Sequence, residues 1–156
     1  MKNEILSKNE LLEYWQAQRR LTRKVIEVFP EKDLFEFSIG GMRPFSQMCA
    51  EFIAIATPSL KSIVMNKSMK FDEKPTFKTK EELLKRWDED TLAINELFVQ
   101  IPESDFQKEF VLFGEYNFQI KQHIFYFIDN EIHHRGQAYV YLRALDIQPP
   151  FFWETL

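Results

Sequence analysis

The sequence predicts an all-α protein, a four-helix bundle with long connections between its helices. Four segments of roughly 20 or more residues repeat apolar side chains at helical spacing, which is typical of such a bundle. The 156 residues contain only four glycines, so few tight turns are expected. A chain of this length suits one domain with a proper core, and we assign residues 1–156 to a single domain.

The first predicted helix begins after Ser7. In the stretch Ser7-Lys8-Asn9-Glu10, the serine and glutamate side chains can satisfy free backbone N–H groups at the helix start, an arrangement called a capping box. Apolar residues then recur at helical spacing up to Phe29. Pro30 is expected to end the helix.

The second predicted helix begins at Pro44, because proline suits the first turn of a helix. Pro58 is expected to end or kink this helix near Ala56-Thr57, since an internal proline removes a backbone hydrogen bond. A polar connector then runs from residue 66 to residue 78.

The third predicted helix begins with a second capping box, Thr79-Lys80-Glu81-Glu82, and ends before Pro102. Residues 109–118 place a glycine between apolar runs, which favours a short irregular or hairpin-like segment. The fourth helix is predicted from about Phe118 to Leu145.

The composition argues against several classes of protein. The net charge of -4 disfavours a general nucleic-acid binder, which needs a basic surface to displace counterions from phosphates. No apolar run reaches the roughly 20 residues that a membrane-spanning helix needs. Cys49 is the single cysteine, so no disulfide can form within the chain. The start of the sequence lacks the apolar stretch of a signal peptide, and we expect a cytoplasmic protein.

The fourth predicted helix carries a polar stripe within an otherwise apolar segment. At about 100° per residue, six side chains fall on one side of the helix. They are His123, Phe127, Asn130, His134, Gln137 and Tyr141. A helix that is apolar on most sides is buried on most sides, so this stripe is expected to face the bundle interior or a subunit interface. Either it lines a functional pocket, or its members bond to one another and to buried water.

Metal binding is one hypothesis for this stripe. Asn130 and His134 lie four residues apart, a spacing that presents two side chains to one ion. Asparagine is a poor zinc ligand, however. His133 is turned about 100° from His134, and His123 lies roughly 10 Å along the helix axis from Asn130. Neither histidine is expected to share an ion with His134.

The run His134-Arg135-Gly136-Gln137, followed by Tyr141-Leu142-Arg143 and Pro149-Pro150, resembles the end of the last long helix in the DinB superfamily. The stretch Met42-Arg43-Pro44-Phe45 is similar to the start of that family's second helix. The resemblance implies a four-helix bundle of DinB/YfiT type with up-down-down-up connectivity, commonly dimeric. It also implies a site in which three histidines hold a divalent metal such as zinc or nickel.

The ligand positions carry over only in part. His134 matches the last ligand, Asn130 stands where another histidine is expected, and Glu51 falls at the position on the second helix. Gln47 lies one turn before Glu51, and we expect it to line the same pocket. This harder set of ligands suits manganese, iron or magnesium better than zinc. In the alternative, no metal binds and Glu51 bonds to His134 and Asn130, which would raise the pKa of the imidazole.

Two functions follow from the resemblance. The first is a metal-dependent transferase or hydrolase that acts on a small molecule, with or without a low-molecular-weight thiol. The second is a non-catalytic dimeric relative with a degenerate metal site, which binds a small molecule or has a stress-related role. The sequence assigns no catalytic residue. We expect a homodimer with a small-molecule ligand, without nucleic acid or membrane partners, in which Gly136 lets another helix of this chain or its partner approach closely.

Overall fold

The computed structural model describes residues 5–71 and 73–155, so residues 1–4, 72 and 156 of the predicted domain lie outside the described part. The described chain is predominantly helical. Its helices are α1 (Lys8–Val28), α2 (Glu31–Glu36), α3 (Phe45–Val64), α4 (Lys80–Gln100) and α5 (Ile120–Ala144). A short 3-10 helix (Glu103–Asp105) and an antiparallel hairpin of β1 (Glu109–Leu112) and β2 (Tyr116–Gln119) precede α5.

The helix starts follow the predicted caps closely. At α1 both halves of the capping box form, with Ser7 accepting from the Glu10 N–H and Glu10 accepting from the Ser7 N–H. At α4 only one half forms, because the Glu82 carboxylate accepts from the N–H of Lys78 instead of that of Thr79. The hairpin-like segment is confirmed as β1 and β2, and Gly114 adopts φ +73° in its turn.

Two features of the backbone differ from the predictions. The prediction that Pro58 ends or kinks the second helix near residues 56–57 is wrong as to its end, because α3 continues to Val64. Leu60 and Ile63 beyond the proline are buried, and this burial offsets the lost backbone hydrogen bond. The short helix α2 was not predicted. The side chain of Leu34 on α2 is fully buried, so packing stabilises a helix that is too short to be stable alone.

The apolar core consists of two clusters, and each cluster draws on all four long helices. The first combines the beginnings of α1 and α5 with the ends of α3 and α4, and the second combines the opposite ends of the same helices. The first includes Trp15, Leu60, Phe98 and Ile124, and the second includes Ile26, Met48, Trp87 and Leu142. Among the helices of residues 5–71 and 73–155, none combines the length and apolar character needed to cross a membrane.

Buried charges lie among the long helices. The guanidinium of Arg19 on α1 is fully buried, with Nη2 3.1 Å from Oδ2 of Asp90 and Nη1 3.7 Å from Oε2 of Glu131. Its central carbon lies 3.8 Å from the ring centre of Trp87. Burial raises the pKa of Glu131, and the positive charge of Arg19 opposes this shift. The periodic apolar pattern of the chain did not predict this cluster.

Arg135, the residue that follows His134 in the His134–Gln137 motif, extends this buried polar network. Its Nη1 donates to the backbone carbonyl of Gln18 at 2.9 Å and to Oγ1 of Thr22 at 3.1 Å. Burial lowers the pKa of Arg135, and Glu131 opposes that shift. The network therefore fixes α5 against α1.

Gly136 lies on the exposed side of α5. A Cβ atom built at this position would meet nothing within 4 Å in the described chain. Close approach of another helix of the same chain is therefore not the reason for this glycine. Approach by a partner chain, and the homodimer itself, stay predictions.

Replacement of Arg19 by methionine should destabilise the protein strongly, because Asp90 and Glu131 would be left buried without their cation. The expected loss in the free energy of unfolding is about 3–5 kcal/mol, measured by urea denaturation. Arg20→Met is the matched control. Arg20 pairs with Glu13 on the surface, so its loss should cost less than about 1 kcal/mol. Equal effects of the two substitutions would contradict a stabilising role for the buried cluster.

Candidate functional site

The carboxylate of Glu51 lies at the centre of a polar cluster between α3 and α5. One oxygen, Oε2, accepts from Arg43 Nη1 at 2.5 Å and from Lys74 Nζ at 3.0 Å. The other oxygen, Oε1, lies 3.5 Å from His134 Nε2 and 3.4 Å from Asn130 Nδ2. The structure therefore brings together the three residues that were predicted to hold a metal, and adds two cations.

Four parts of the chain supply this cluster. Arg43 immediately precedes Pro44, which starts α3, and Glu51 follows two turns later. Lys74 lies in the connector between α3 and α4. Asn130 and His134 are one turn apart on α5, as their spacing predicts.

The two cations determine the ionisation of Glu51, whose side chain is only 15% exposed. Burial raises the pKa of this carboxyl group, but the hydrogen bonds and charges of Arg43 and Lys74 outweigh burial and bring the pKa down to about 2. Glu51 is therefore an anion at neutral pH.

His134 behaves differently from the prediction. Burial lowers the pKa of its imidazole, and the nearby charge of Glu51 does not overcome that effect. The expectation that Glu51 raises this pKa is wrong in its net direction, because burial dominates and Arg43 also opposes protonation. The ring is neutral at pH 7. Its Nδ1 lies 3.3 Å from Oε1 of Gln137 and its Nε2 faces Glu51, so the single N–H can serve only one of these two oxygens.

A cavity of about 890 Å³ opens beside Glu51. Its walls come from α3, the connector, the hairpin and the first half of α5. Six aromatic side chains line it: Phe71, Phe113, Tyr116, Phe118, Tyr126 and Phe127. Its polar lining includes Glu51, Lys74, Glu115, Gln122 and His123. This size and this mainly apolar wall are typical of pockets for small organic molecules.

Only part of the predicted polar stripe on α5 lines the cavity. His123 and Phe127 line the cavity. The Nε2 atom of His123 lies 2.8 Å from the backbone oxygen of Phe110, and burial lowers the pKa of the ring. This histidine therefore joins α5 to the hairpin.

Three residues predicted to line the pocket lie outside the cavity. The cavity extends from Glu51 toward the hairpin at the start of α5, whereas Gln137 and Tyr141 lie on later turns of that helix. Gln137 contacts His134, and the buried Tyr141 donates from its hydroxyl to the backbone oxygen of Arg43 at 2.9 Å. Gln47 is exposed on α3. Tyr141 nevertheless acts on the site by holding the backbone of a residue that binds Glu51.

No sequence pattern indicated the two cations. Arg43 lies eight residues before Glu51, and Lys74 lies 23 residues after it in a polar connector. Neither position belongs to a periodic apolar pattern. Residues 109–118 predicted a hairpin-like segment, but not that this segment would form a wall of the cavity.

Comparison with known proteins agrees with this architecture. The DinB family model matches residues 1–155. The chain belongs to the DinB family. It is similar to a crystal structure of a DinB-like protein from Bacillus cereus, with 17% identity, a TM-score of 0.75 and coverage of 93% of this chain and 97% of that one. It is also similar to the DinB-like protein YjoA from Bacillus subtilis, with 18% identity, a TM-score of 0.67 and coverage of 92% and 98%.

At this level of identity the two crystal structures show a shared fold. No curated protein matches the chain. The comparisons therefore show the family and the fold of this chain.

The residues present do not fit the divalent metal that the family resemblance implies. Oε1 of Glu51 and Nε2 of His134 are close enough to bind one ion, but the third group is the amide of Asn130, a poor ligand for zinc. Two cations already bind the same carboxylate, and two unit charges about 4 Å apart near a protein surface interact by about 4 kcal/mol. A divalent ion would meet that repulsion from both. Within residues 5–71 and 73–155, no group of three His, Cys, Asp or Glu side chains is placed to hold a metal.

Glu51→Gln should change how stability depends on pH. Folding lowers the pKa of Glu51 from 4.5 to about 2. The ion pairs of Glu51 therefore stabilise the protein fully above pH 4.5, and this stabilisation is lost as the pH falls from 4.5 to about 2. The wild-type protein should therefore be more stable than Glu51→Gln at pH 6, and this difference should shrink between those two pKa values. Urea denaturation at a series of pH values measures it. A difference that stays constant down to the lower pKa would contradict the ion pairs.

Proposed function

We propose that this DinB-family protein binds a small organic molecule in the cavity beside Glu51, and that it does so without a metal ion. The observation that carries the proposal is the pairing of Glu51 with Arg43 and Lys74. These two cations supply positive charge where the family resemblance implies a metal. The proposal corresponds to the non-catalytic relative with a degenerate metal site.

The cavity supports binding because its wall offers six aromatic rings and a polar end. Burial of an apolar ligand against these rings is favourable in proportion to the area removed from water. Lys74 and Glu51 at the polar end can orient the ligand. The connector and the hairpin are joined by an edge contact between Phe71 and Phe113, whose ring centres lie 5.1 Å apart, and both segments form part of the cavity wall.

Cys49 does not support a nucleophilic role for this chain. Its thiol is completely buried, and burial raises its pKa well above the ordinary value. The reactive thiolate is therefore suppressed. A reaction at this site that needs a thiol would have to take it from a separate molecule.

We also propose the up-down-down-up connectivity of the DinB type for the four long helices. The first apolar cluster, which joins the beginnings of α1 and α5 to the ends of α3 and α4, supports this arrangement. So does Lys8 at the start of α1, which donates to the backbone oxygen of Ile101 just after α4. A crystal structure with α1 parallel to α4 would contradict it.

Metal analysis tests the proposed function. Wild-type protein purified without a metal-affinity tag should contain no stoichiometric divalent ion, and zinc, nickel or manganese should not raise its melting temperature. A stoichiometric ion that is lost on Glu51→Ala or His134→Ala would contradict the proposal. That result would favour the metal-dependent transferase or hydrolase.

Designed variants separate the two features that are proposed to prevent metal binding, the poor third ligand Asn130 and the positive charges of Arg43 and Lys74. The triple variant Arg43→Gln/Lys74→Gln/Asn130→His removes both cations and supplies a better third ligand, so it should bind about one equivalent of zinc. Asn130→His alone keeps the cations and should bind zinc at least about tenfold more weakly than the triple variant. Equal zinc affinity in the two variants would show that charge repulsion is unimportant.

A further inference from the structure

We propose that the ligand of this cavity is an amphipathic monoanion, with an apolar or aromatic body and one carboxylate or similar anionic group that binds Lys74. The inference rests on the proposed function, since it requires that the cavity is a ligand site. It adds the chemical class of the ligand.

The charges around Glu51 do not balance. Glu51 contributes one negative charge, and Arg43 and Lys74 contribute two positive charges. Among the described residues of this cluster, the sum is +1. An anionic group on a bound molecule would neutralise that charge in a partly buried environment, where charge pairs count for more than in water.

Lys74 is the cation that a ligand can reach. It lines the cavity, and its side chain is 43% exposed. An ammonium group has three N–H donors. One of them is directed to Glu51 at 3.0 Å, and within residues 5–71 and 73–155 no other side chain pairs with Lys74. As far as the described residues are concerned, two donors are therefore left for an anionic group in the cavity.

A cationic ligand fits the same wall less well. Aromatic rings can surround a cation, and Glu51 and Glu115 both line the cavity. The oxygens of Glu51 are already engaged by Arg43, Lys74, His134 and Asn130. Glu115 lies in the exposed turn of the hairpin, where solvent and salt screen its charge. A ligand cation near Glu51 would also meet the repulsion of Lys74.

Three probes that share one body and differ in charge test the proposal. They are 4-phenylbutyrate, 4-phenylbutanamide and 4-phenylbutylamine, and their affinities are measured by isothermal titration calorimetry at pH 7 and low salt. The carboxylate should bind about tenfold or more tightly than the amide, because it gains charge-assisted hydrogen bonds. The amine should bind most weakly.

Two lysine variants locate the effect. Lys74→Met should bring the ratio of the carboxylate affinity to the amide affinity down to about one, because the charge-assisted hydrogen bonds are lost. Lys70→Met is the matched control, because Lys70 is an exposed lysine of the same connector that does not line the cavity. It should retain the full preference. The ratio of the three affinities in wild-type protein is informative even if Lys74→Met folds poorly.

A third variant, Ile55→Trp, fills the cavity from α3 and should abolish binding of all three probes. Leu92→Trp, on an exposed position of α4, is its control.

Equal affinities for the three probes, tightest binding of the amine, or a carboxylate preference that survives Lys74→Met would overturn the anionic ligand while leaving the cavity as a ligand site. If no probe binds at millimolar concentration, or if Ile55→Trp still binds the probes, the proposed function also fails.

Discussion

A partly buried carboxylate needs compensating charge or hydrogen bonds, and in this protein Glu51 receives them from two cations of its own chain. Arg43 approaches from the segment before α3, and Lys74 approaches from the connector after it. The pairing therefore holds two otherwise irregular segments against α3, beside the cavity. It also determines the chemistry of the site, because a carboxylate bound to two cations is a poor ligand for a third.

The protein contains two polar clusters that differ in their access to ligand. The cluster of Arg19, Asp90 and Glu131 is enclosed by the long helices, with its side chains almost completely buried. Because its side chains are buried between the helices, the contribution of this cluster is to their packing. The cluster around Glu51 is only partly buried and borders a cavity lined by aromatic rings. We therefore propose a ligand-binding role for the second cluster and a role in stability for the first.

The sequence predicted local features well and long-range contacts poorly. The cap at Ser7, the four long helices and the turn before α5 depend on residues close together in the chain, and all are present. The extension of α3 beyond Pro58 was missed because burial against distant helices outweighs a local preference. The carboxylate, amide and imidazole of the site were placed through the family resemblance. Arg43 and Lys74 were missed because no periodic pattern links either residue to Glu51, and the direction of the His134 pKa shift depends on burial that only the folded chain shows.

The carboxyl carbon of Glu51, followed by NMR as a function of pH, tests the central claim most directly. Assignment through the spectrum of Glu51→Gln identifies the resonance. If Arg43 and Lys74 neutralise this carboxylate, its pKa should lie near 2 and should rise in Arg43→Gln/Lys74→Gln, since burial then acts with less opposition. A pKa at or above the ordinary value of 4.5 in the wild-type protein would contradict the account.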